Sequence, residues 1–112
     1  MKKLNCLFLR NITLEPIEEM LVSNAKKYDM NIKTIFSDYD NILQSSLDLD
    51  FLKNKKIDVI NVFLWLPNFS DTLSNRITSS SQKKINNEIN RLNDFIQIVS
   101  KNLSRLEIPV IW

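Results

Sequence analysis

The chain contains no histidine and no glycine, and these absences restrict its chemistry more than any motif present. Without histidine, no Ser-His or Cys-His pair forms within these residues to activate a hydroxyl or thiol nucleophile. Without glycine, neither the dinucleotide fingerprint nor the P-loop can be built, because both need a backbone free of Cβ beside the phosphates. Cys6 is the single cysteine, so there is no intrachain disulfide and no cysteine metal cluster, which suits a reducing cytoplasm. The sequons at Asn11 and Asn68 are then chance matches, and no metal or cofactor is implied. Long apolar runs are missing too: nothing approaches the ~18 residues of a membrane helix. Lys2-Lys3 and the apolar residues after them imitate a signal peptide, but Arg10 ends the run and no small-residue cleavage site follows.

What is present supports one folded domain. The 112 residues are 44% hydrophobic and 9% aromatic, enough for a single core. Lys and Arg number 15 against 13 Asp and Glu, and the basic residues come as scattered pairs such as Lys26-Lys27 and Lys83-Lys84. Scattered pairs are a solvated surface rather than a footprint for a phosphate backbone, so no nucleic-acid partner is expected.

The chain is organised around its opening stretch. Leu4 to Leu9 reads as a short buried strand, followed by a polar turn and Pro16, which suits the first turn of a helix running to about Lys27. Thr13 and Glu15 place an oxygen and a negative charge near that helix start, and Ile17, Leu21, Ala25 and Tyr28 form its inward stripe. Asn31 to Phe36 reads as a second strand, with Ile32, Thr34 and Phe36 on one face. A polar turn follows in which Asp38 or Asp40 would cap a helix carrying Ile42, Leu43, Ser46 and Leu47, with Phe51 and Leu52 packed under the next connection. Ile57 to Leu66 is the most hydrophobic stretch, a central strand stopped by Pro67, with Trp65 assigned to the core. Pro67 to Ser81 reads as a loop with room for a short helical turn, anchored by Leu73 and Ile77. Ile85, Ile89, Leu92, Ile96, Val99 and Leu103 then mark one face of a long helix over Ser81 to Leu103, and Pro109 to Trp112 starts a fourth strand.

Strands alternating with helices require crossover connections and a parallel sheet. The expected fold is an α/β three-layer sandwich of the flavodoxin-like kind with four strands in order 2-1-3-4, residues 1-112 being one domain. A chain ending on a strand is read as the amino-terminal part of a longer domain or protein.

In such a sheet ligands collect beyond the carboxyl ends of the strands. That rim is built from Arg10-Asn11-Ile12-Thr13, Ser37 to Asn41, and Pro67 to Ser70. The candidate binding residues are Arg10, Asn11, Thr13, Asp38, Tyr39, Asp40, Asn41 and Asn68, a guanidinium with amides, a hydroxyl and carboxylates suited to an anionic or carbonyl group. The same residue types are those any turn favours. Asp38 with Asp40 makes only an isolated acidic pair, and capping explains it equally well. Cys6 lies in a strand with no partner near in sequence to depress its pKa, so it reads as a small hydrophobe. Asp58 opens its strand instead of ending it, the wrong end for the phospho-acceptor of a response-regulator receiver.

At Leu9-Arg-Asn-Ile-Thr-Leu-Glu-Pro-Ile17 the sequence resembles the opening of the FkbH-like proteins, whose amino-terminal region looks like an SGNH-hydrolase domain and precedes a HAD-type phosphatase domain. Ser37-Asp-Tyr-Asp-Asn-Ile-Leu-Gln44 and Ile57-Asp-Val-Ile60 resemble that family's next two landmarks, in order and spacing. The resemblance implies an SGNH-like fold in an enzyme that passes a glyceryl group to an acyl-carrier protein, the phosphatase domain performing that step. It departs from hydrolases proper in having no serine after the first strand and Asp40-Asn41 where a glycine is expected. Asn68 is the counterpart of their asparagine, and their late Asp-His pair would lie beyond Trp112. A self-contained esterase is therefore not expected. The leading expectation is a catalytically incomplete domain that helps recognise an acyl or carrier-protein partner. The alternatives are a degenerate hydrolase using Thr13 and a structural domain that scaffolds a dimer.

Overall fold

The computed structural model describes residues 2–48 and 56–112, so the expected packing of Phe51 and Leu52 lies outside the described residues. Strand β1 runs Lys2–Arg10, a 3-10 turn Glu15–Ile17 leads into helix α1 (Glu18–Lys26), and β2 spans Met30–Phe36. Helix α2 (Ile42–Leu47), β3 (Val59–Phe63), two single-turn helices α3 (Leu66–Phe69) and α4 (Asp71–Ser74), the long α5 (Gln82–Ser104) and β4 (Val110–Ile111) complete the described elements. The sheet is parallel throughout, in order β2-β1-β3-β4.

The period-two geometry of a strand whose two faces are both covered explains why β1 is continuously apolar from Cys6 to Leu9. Leu7 and Leu9 point to one face, where they join Ile60, Val62, Val99 and Leu103 beneath α2 and α5. Cys6 and Phe8 point to the other, where Leu14 and Leu21 pack over them. Helices cover both faces, which gives the three layers. Asp58 accepts a hydrogen bond from the Asn5 amide at 2.7 Å, pinning the start of β3 at the end of the sheet opposite the carboxyl rim.

The loop expected after Pro67 contains α3 and α4, each a single turn and so without the repeat that marks a helix in sequence. Helix α1 buries Ala25 alone, while Ile17 and Tyr28 are exposed, Tyr28 at 77%. The inward stripe holds at Leu21 and Ala25 and fails at its two ends, because Ile17 belongs to the 3-10 turn and Tyr28 to the turn after the helix, each out of the α-helical phase. Neither Asp38 nor Asp40 caps α2; Asn41 is its N-cap residue, without a side-chain hydrogen bond.

Candidate functional site

The carboxyl rim rests on two buried residues at the end of β1. Arg10 is 7% exposed. Its Nε donates to the Ser37 carbonyl at 3.1 Å, its Nη1 to Glu15, and its guanidinium lies 5.3 Å from the centre of the Phe36 ring. That hydrogen bond holds the Glu15 carboxyl below its ordinary value. Asn11 is 3% exposed, and its amide pairs with the Trp65 backbone in both directions, accepting at 2.6 Å and donating at 3.1 Å. A side chain here continues the β1–β3 ladder after the strands have separated. Asn68 adds a third tie, donating from Nδ2 to the Asn11 carbonyl at 2.8 Å. Trp65, assigned to the core by sequence, contributes its backbone, while the residue is 45% exposed.

Above this base a cleft of about 270 Å³ opens between the rim turns and α5. Its polar lining is Asn11, Asp40, Asn41, Asn68 and Arg91; Ile42, Leu64, Phe69 and Phe95 supply apolar walls. Four of the expected residues are thus brought together. Asp38 lines an adjoining hollow of about 100 Å³ that shares Asn41, Arg10 supports the rim from below, and Thr13 and Tyr39 are exposed and line neither space. Asp40 holds a left-handed backbone, φ 52°, the conformation glycine adopts most readily.

Sequence reasoning missed the wall from α5. Arg91 stacks on Phe69, 4.0 Å from the ring centre, donates from Nη2 to the Phe69 carbonyl at 2.6 Å, and pairs with Glu88 at 2.8 Å. Glu88 also accepts from the buried Ser70 hydroxyl at 2.7 Å. The bonds from Arg91, then Ser70, lower its pKa. Residues 88, 91 and 95 at helical spacing, a fork-forming pair followed by an aromatic, carried the available signal, and such pairs usually lie on a solvated face. Cys6 is buried away from this rim; burial, then the Asp58 carboxylate, raises its thiol pKa. Among the described residues no group of three or more His, Cys, Asp or Glu side chains is arranged to hold a metal, and no helix is long and apolar enough to cross a membrane.

No family model matches the chain, and no curated protein matches its sequence. Among solved structures it is similar to the N-terminal part of the protein BF1531 from Bacteroides fragilis, which contains a phosphatase domain and was crystallised with Mg. The TM-score is 0.68 at 14% identity, covering 98% of this chain. The chain spans 28% of that neighbour's length. At this identity the likeness is one of fold.

Proposed function

We propose that this chain is the SGNH-like, amino-terminal domain of a longer FkbH-like protein, and that it assists transfer of an acyl or glyceryl group to a carrier protein without a complete triad of its own. The observation that carries the reading is a formed cleft without a nucleophile. Asn11, Asp40, Asn41, Asn68 and Arg91 are its polar lining, and no serine, threonine or cysteine is among its lining residues. Such a surface recognises and orients; its described lining offers no hydroxyl or thiol to form an acyl-enzyme. The sequence landmarks at Arg10-Asn11 and Asp38 to Asn41, and the fold shared with the N-terminal part of a phosphatase-domain protein, support the same reading. Thr13 lies outside the cleft, so the hydrolase alternative has no observation in its favour.

The test uses the full-length protein and its carrier protein, with carrier loading followed by mass spectrometry. Arg91→Ala and Asp40→Ala are each expected to slow loading about tenfold while both proteins keep the wild-type circular dichroism. Loading at the wild-type rate in both variants would remove the cleft from the reaction.

A further inference from the structure

Resting on the reading of this cleft as a recognition site, we propose that it takes an uncharged chain carrying secondary amides, and that Arg91 orients an amide carbonyl of that chain. The charge balance of the lining is the first argument. The Arg91 guanidinium is offset by Glu88 at 2.8 Å, which leaves Asp40 as the remaining charge on the wall. An incoming phosphate or carboxylate would meet a neutralised cation and a like charge, whereas a neutral ligand meets neither penalty.

Hydrogen-bond accounting is the second argument. Nε and Nη2 of Arg91 are taken by Glu88 and the Phe69 carbonyl, and Nη1 donates to no described residue. Asn68 spends Nδ2 on Asn11, so its Oδ1 remains an acceptor on the cleft wall, beside the Asp40 carboxylate. The two N–H groups of Arg91 Nη1 and the side-chain amide of Asn41 are donors on this wall beside the free acceptors, a set that suits secondary amides, each of which offers one acceptor and one donor on a planar group. The apolar walls, Phe69 and Phe95 at a ring separation of 5.2 Å among them, suit the methylene segments between amides. A volume of about 270 Å³ falls below that of a drug-sized site and admits a chain segment.

The experiment titrates the full-length protein with pantetheine, a capped neutral dipeptide and inorganic phosphate, observing the side-chain amide NMR signals of Asn41 and Asn68 and the Arg91 Nε–H signal. The expected result is saturable shifts with an amide probe, none with phosphate, and affinity reduced about tenfold in Arg91→Ala. Tighter binding of pantetheine assigns the chain to a carrier's prosthetic arm, and tighter binding of the dipeptide to a peptide segment; both uphold the amide class. Glu88→Gln, which keeps Arg91 but removes its counter-charge, is expected to show saturable phosphate binding that the wild type lacks. Phosphate binding to the wild-type cleft, or no gain in Glu88→Gln, overturns the charge argument. If no amide probe shifts these signals while Arg91→Ala still impairs carrier loading, the ligand class is wrong and the proposed function stands. If loading is also unaffected, both fail.

Discussion

Asp29, Asp40 and Glu107 hold left-handed backbone conformations, with φ of 56°, 52° and 53°, in a chain that has no glycine to put there. They stand one, two and three residues before β2, α2 and β4 begin at Met30, Ile42 and Val110. Aspartate tolerates this region because its short side chain bonds locally, while glutamate has no such relief. The left-handed conformation costs an L-residue roughly 1–2 kcal/mol, and glycine returns part of that gain as unfolded-chain entropy. Glu107→Gly is therefore expected to stabilise the protein by about 0.5–1 kcal/mol, raising Tm by roughly 3–6 °C. Glu107→Ala, which keeps the Cβ, should leave Tm nearly unchanged, and scanning calorimetry on the two variants checks both. Residue roles at the rim were legible only in part. Asn11, Asp40, Asn41 and Asn68 fall in turns that the sequence marks, and they do converge. Whether Arg10 faces the ligand or supports the turn depends on its reach to Ser37, Phe36 and Glu15, set by a strand register that no local pattern contains.

At the scale of elements, α5 shows what local chemistry determines. Ser81 accepts a hydrogen bond from the Lys84 amide at 3.2 Å, satisfying one of the donors a helix start leaves open. Replacing it by alanine should cost about 1 kcal/mol, while Ser81→Asp, still able to accept that bond, should cost a few tenths. Urea unfolding of the two variants checks this, and equal midpoints would mean the cap contributes nothing. Periodicity and length agreed in the sequence, so the bounds of this helix were readable to within a residue or so. The single-turn α3 and α4 carry no such agreement, and Pro67, Asn68 and Ser70 are the residues a loop would also use. The α5 wall of the cleft was hidden for the opposite reason. Glu88 and Arg91 look like a solvent pair until α4 and Ser70 are brought against them.

For the whole molecule, the parallel order β2-β1-β3-β4 was legible because alternating strands and helices leave few other arrangements. The same global view gives the response to acid. Two carboxylates, Glu15 in the 3-10 turn after β1 and Glu88 on α5, have pKa values lowered by their arginine partners, Arg10 and Arg91. A carboxylate whose folded pKa is depressed contributes stability that is fully present above its unfolded value, and the contribution is lost as pH falls through the folded value. The loss therefore begins near pH 4.5, the ordinary value for both groups, and is completed below it. Protonation of the remaining acids meanwhile leaves the charge of 15 Lys and Arg unopposed, and self-repulsion adds to the effect. Tm is expected to be flat from pH 7 to about 5 and to fall steeply towards pH 3. Glu88→Gln and Glu15→Gln should each start from a lower Tm at pH 7 and show a shallower fall, so that the variant and wild-type curves converge in acid. Parallel curves across the whole range would mean that these two ion pairs do not couple folding to protonation, and that acid lability comes from general charge repulsion alone.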